Sequence, residues 1–144
     1  MPPPVTARYE DAGLFRNEVC KVAVELIPVI NRNDRGDFVV LGSMEGGSEI
    51  SVVFAGRRMR MAEPLIQHLN KMHDTAVRSK KDGVLTPVEL RSLRQKARLE
   101  GTWRPRFLKR DDGWQTREYY LMVSRWEIFQ PDGTALEFGV APDL

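Results

Sequence analysis

The chain has 144 residues, 42% hydrophobic and 29% charged, with a formal net charge of +2. This composition suits a folded globular protein rather than a disordered one, and the length suits one domain that buries roughly two-thirds of its unfolded surface. No apolar run approaches the ~20 residues of a membrane span, no charged-then-apolar leader opens the chain, and the lone Cys20 excludes an internal disulfide and a cysteine-based metal cluster. Together these predict a cytoplasmic setting.

The small net charge conceals an asymmetry. Residues 1–50 carry 5 Lys/Arg against 8 Asp/Glu, residues 51–110 carry 15 against 5, and residues 111–144 carry 2 against 7. A basic block between two acidic flanks is the kind of footprint that attracts nucleic acid; its plainer meaning is a solvated basic face.

Taken in order, residues 1–18 open on a proline triplet and read as a flexible N-terminal arm. Val19–Ile30 is the first strand, with Val22, Val24, Leu26 and Ile30 on one face by alternation. Pro28 cannot donate to a ladder and marks an edge or a bulge. Asn31–Asp37 (NRNDRGD) is a turn by composition. Phe38–Leu41 is the second strand, Gly42–Glu49 a glycine-containing loop, and Ile50–Ala55 the third strand. The periodicity then changes. Ala62–Val77 places Leu65, Ile66, Leu69, Met72 and Ala76 on one helical stripe, with Pro64 in the first turn. Thr86-Pro87-Val88-Glu89 is a capping box that opens a second helix reaching to about Lys96.

Ala97–Gln130 then reads as a long β-hairpin. Ala97, Leu99, Trp103 and Phe107 share one face, and Arg98, Arg104 and Arg106 the other. Lys109–Gly113 forms the tip, with Asp-Gly as its turn signal. Tyr119–Phe129 is apolar on both faces. Pro131–Gly133 is a further turn, and 135–140 a short last strand. Three strands, helices and two more strands give an all-β-dominated chain, a five-stranded OB-fold β-barrel with one or two helices between strands 3 and 4, as a single domain over residues 19–140.

Three stretches resemble bacterial single-stranded DNA-binding proteins. Val52–Leu69 (VVFAGRRMRMAEPLIQHL) resembles their third strand and helix, and Ala97–Val123 (ARLEGTWRPRFLKRDDGWQTREYYLMV) their next hairpin. Lys21–Leu41 resembles their first two strands more loosely. Gly56 and Gly101 match glycines of that pattern, and Arg104 and Arg106 its basic pair. Phe54 and Phe107 each stand one residue before a position that carries a stacking aromatic there. Ser79–Gln95 looks like an insertion, and no acidic recruitment tail follows the barrel, as in a divergent phage- or plasmid-type member. The resemblance implies a homo-oligomer, a dimer or tetramer, that coats DNA exposed in replication, recombination or repair.

The expected interface combines arginines for phosphates with rings for bases. Arg57, Arg58 and Arg60 close the third strand; Arg98, Arg104, Arg106, Lys109, Arg110 and Arg117 lie along the hairpin. The candidate stacking rings are Phe54, Trp103, Phe107, Trp114 and Tyr119. Trp103 suits the core as well as a platform, and Tyr119 and Tyr120 must point to opposite faces, so one of them meets the groove. His68 and His73, five apart, do not share a helical side for a metal. Ser43 and Ser48 sit in neither a phosphate-loop nor a nucleophile-elbow pattern. The reading is therefore a non-enzymatic single-stranded DNA binder with little sequence preference and no cofactor; the same features suit single-stranded RNA. Its rivals are an OB-fold protein-interaction module or replication-restart accessory, and a helix-turn-helix duplex binder using the two helices.

Overall fold

The structure is a computed structural model that describes residues 5–6, 12, 18–109, 111–113 and 115–135; the side chains of Val5, Thr6, Leu108, Gln115, Thr116 and Arg117 are not described. The expected strand at 135–140 and most of the expected N-terminal arm thus lie outside the described residues.

Among the described residues six strands form one sheet: β1 (Val5–Thr6), β2 (Val19–Arg32), β3 (Phe38–Met44), β4 (Glu49–Phe54), β5 (Gln95–Lys109) and β6 (Gln115–Ile128). The order β1-β2-β3-β4-β6-β5 returns to β2 through a β2–β5 ladder, so five strands close into an OB-fold-like barrel. All neighbouring pairs within the barrel are antiparallel except β4 and β6, which run parallel at Val52↔Leu121 and Val53↔Met122. β1 lies parallel on the start of β2.

Alternation sets what the barrel encloses. Cys20, Val22, Val24 and Leu26 point inward from β2, Ile50, Val52 and Phe54 from β4, Ala97, Leu99 and Trp103 from β5, and Leu121 and Val123 from β6. On β6 the register slips opposite Glu100/Gly101, which leaves Ser124 as the extra residue, so that Trp126 and Ile128 then turn inward. Trp126 meets Phe54 edge-to-face, ring centroids 5.3 Å apart. A second slip, between Ile27 and Ile30 on β2, contains Pro28, so the proline sits in a bulge.

Two expectations about element bounds fail for physical reasons. β3 continues through Gly42, Ser43 and Met44, all buried, and the loop shrinks to a tight turn closed by Met44 N–H to Ser48 O at 2.8 Å. Gly42 belongs to the wall because a Cβ there would lie 2.8 Å from a Val24 methyl and 3.2 Å from one of Val52. The helix that opens at Pro87 stops at Arg91 instead of Lys96, because Gln95–Thr102 is taken up by the ladder to β2.

Three helices lie between β4 and β5: α1 (Arg57–Met61), α2 (Glu63–Arg78) and α3 (Pro87–Arg91). α2 buries Leu65, Ile66 and Leu69. At α3 the capping box is complete: Glu89 N–H donates to Thr86 Oγ1 and Thr86 N–H to Glu89 Oε1. Lys80 Nζ also donates to the Glu89 carboxylate at 2.6 Å, and this bond, with the Thr86 backbone, pulls the carboxyl down to about 2. Among the described residues, no helix is long and apolar enough to cross a membrane.

Candidate nucleic-acid interface

The β2–β5 ladder ends at Thr102 and the β4–β6 ladder begins at Leu121. Past those residues Arg104–Lys109 and Gln115–Tyr120, among the described residues, pair only with each other, so the hairpin leaves the barrel as a two-stranded arm. Its root is tight. A Cβ on Gly101 would fall 2.3 Å from the carbonyl oxygen of Met122, so only glycine permits this approach of β5 to β6.

Between the arm and the β2–β3 turn runs a groove of about 340 Å³ on the outer face of the barrel. Val39, Val53 and Met122 form its floor, with Ser51 beside them. Tyr120, Pro105 and Arg106 line the arm side, and Asn33, Asp34, Arg35 and Asp37 the turn side. Tyr120 lies directly opposite Arg104 in the β5–β6 ladder, so the two residues share the outer face of the hairpin, although Arg104 itself does not line the groove.

The arm-side arginines differ in their engagement. Arg106 Nη2 lies 3.1 Å from Glu118 Oε2, in an ion pair whose side chains are 49% and 44% exposed, so solvent screens it strongly. Arg104 is exposed and makes only a long contact to Thr102 Oγ1 at 3.4 Å; it has no carboxylate partner among the described residues.

The turn is built in advance of any ligand. Asn33 Oδ1 accepts from the backbone N–H of Arg35 and of Asp37, both at 3.0 Å, and Asn33 Nδ2 donates to Asp37 Oδ2 at 3.2 Å. Arg32 Nη1 donates to Gly36 O, and its guanidinium sits 4.6 Å from the Phe38 ring centroid. Gly36 takes φ 82, a left-handed conformation that favours glycine.

The structure separates the expected site residues. Phe54 and Trp103 are completely buried, so neither ring can meet a base; both are core residues. Tyr119 packs against the core and Tyr120 takes the groove position. Arg98 leaves the groove altogether: it lies 5.5 Å from the Phe129 ring centroid, beside Lys96 in a different depression. Arg57 and Arg60 are exposed on α1, and Arg58 Nε donates to Ser124 O at 2.8 Å, securing the bulge; none of the three lines the groove. Phe107, 55% exposed, and Lys109 lie farther out on the arm. Arg110, Trp114 and the side chain of Arg117 lie outside the described residues.

Four groove residues, Asn33, Asp34, Arg35 and Asp37, come from a segment that composition marks only as a turn. Tyr120 had a usable signal, since pairing the strands about Asp112 sets it opposite Arg104. The helix-turn-helix alternative fails on geometry: α3 has five residues, and residues 79–86 separate it from α2, too long for the tight turn of that motif. Among the described residues no group of three His, Cys, Asp or Glu side chains is placed to hold a metal; His68 instead shares a 2.7 Å hydrogen bond with Gln95. Compared with known proteins, the chain matches no protein-family model and no curated protein.

Proposed function

We propose that this protein binds single-stranded DNA along the groove between the β2–β3 turn and the β5–β6 arm, as a coating protein rather than an enzyme. One observation carries the reading. On the outer face of an OB-fold-like barrel, Tyr120 and Arg106 stand at the edge of an aliphatic floor, with Arg104 opposite Tyr120 in the β5–β6 ladder. In OB-folds this face, with its flanking loops, is where oligonucleotides lie. A base stacks on the tyrosine ring while the guanidiniums hold adjacent phosphates. The prebuilt turn forms the opposite wall. DNA exposed in replication, recombination or repair is the substrate that this geometry suits.

The test is anisotropy of a labelled mixed-sequence oligonucleotide, single-stranded or annealed to its complement, at low and then rising salt. Saturable binding of the single strand that weakens with salt is expected, with the duplex bound more weakly. Absence of binding at low salt, or tighter binding of the duplex, overturns the proposal.

A further inference from the structure

The two walls of the groove differ in charge. The turn wall presents Asp34 and Asp37 against Arg35, a net charge of −1. The arm wall presents Arg106, a charge of +1, while Glu118, its ion-pair partner, does not line the groove. Like charge keeps phosphates off the first wall, and opposite charge draws them to the second. A strand in the groove therefore turns its backbone to the arm and its base edges to Asp34 and Asp37.

Asp37 is set up to read those edges. Its residue is only 8% exposed, yet it lines the groove. Asn33 fixes it twice, through its backbone N–H and through Oδ2. The other carboxylate oxygen, Oδ1, has no hydrogen bond among the described residues. An ionised carboxylate can only accept. Cytosine offers it an amino group at position 4, whereas uracil and thymine present a carbonyl oxygen there, which it repels.

Resting on the single-strand reading above, we propose that Asp37, assisted by Asp34, makes the groove favour bases with an exocyclic amino group, so that among pyrimidines cytosine is bound in preference to uracil and thymine. This adds a base-type bias to a site whose phosphate contacts are indifferent to sequence.

The experiment compares labelled oligo-dC with oligo-dU of equal length, at one salt concentration and neutral pH, by anisotropy. Neither base carries the thymine methyl, so the comparison isolates the base edge. Tighter binding of dC by roughly fivefold is expected, the low end of what a good base-edge contact discriminates. The salt slopes of the two oligomers should agree, because their phosphates are identical. Asp37→Asn supplies a donor as well as an acceptor and should bring the dC:dU ratio to about one or below. Because Asp37 also ties the turn, the exposed Asp34→Asn is the second variant, and it should lower the ratio by a smaller factor. Equal affinities in the unmodified protein, tighter dU, or a full ratio retained in folded Asp37→Asn each overturn the base preference while leaving the groove occupied. If neither oligomer binds, the single-strand reading itself falls, and this preference with it.

Discussion

Tyr120 and Arg104 face one another across a single rung of the β5–β6 ladder, and that pairing sets the expectations for individual residues. Tyr120→Ala should weaken single-strand binding by ~1–3 kcal/mol, the usual worth of a stacked base. Arg104→Ala should instead flatten the salt dependence by about one phosphate contact. Arg98→Ala, on a different face, should do neither; titration of the three variants over a salt series separates them. Trp103 belongs to stability: Trp103→Ala should cost ~3–5 kcal/mol in a denaturant melt. Much of this is visible in the sequence. Alternation alone sets Arg104 and Arg106 opposite Trp103, and it groups Phe54 with Ile50 and Val52 on the inner face. The family resemblance drew Phe54 outward, against its parity. Parity alone does not tell Tyr119 from Tyr120; the hairpin register does, since pairing about Asp112 sets Lys109 opposite Gln115 and Tyr120 opposite Arg104.

At the scale of elements, local chemistry was legible and pairing was not. The capping box at Thr86 and Glu89 is present as expected, and Pro28 sits in a bulge, one of its two expected placements, because each depends on residues close in sequence. The lengths of β3 and α3 depend on partners far along the chain, which propensity does not encode. α3 also carries a pH dependence of definite sign. The Glu89 carboxyl is held down to about 2, chiefly by Lys80, so its support of the helix start is complete above the ordinary carboxylate range and is lost as pH falls toward about 2. Amides of α3 should therefore lose protection in hydrogen exchange on acidification before those of β2 do, and Glu89→Gln should remove that difference. At the root of the arm, Gly101→Ala should destabilise by more than the ~1–3 kcal/mol of ordinary overpacking, since the atom it meets is backbone carbonyl; thermal or denaturant unfolding measures it.

For the whole molecule, the order of strands and helices was enough to expect an OB-fold barrel, but its closure rests on β2 pairing with both β3 and β5, which no local pattern announces. Folding also disperses the basic block. Its cations are spread over α1, α2, α3 and β5, and Lys80, Arg91, Arg98 and Arg106 each lie near a carboxylate. For phosphates the arm offers Arg106, which lines the groove, and Arg104 two residues before it, so the logarithmic salt slope for single strands should be about −1.4, at ~0.7 per phosphate, rather than the steep value implied by a basic block acting as one patch. A slope much steeper than this, measured by the same anisotropy titration, would place the main contacts elsewhere. The arm adds a mechanical consequence. It is a cantilever clamped between Thr102 and Leu121, and beyond them it pairs with no other strand among the described residues. Arg104 and Tyr120 sit one rung beyond the Trp103–Leu121 pair, where bending displaces them least. Lys109 lies five residues farther along, roughly 17 Å at strand rise, where the same bend carries it through the widest arc. Stiffness at one end and reach at the other thus divide the hairpin into a part that holds a nucleotide in place and a part that can follow the strand as it leaves.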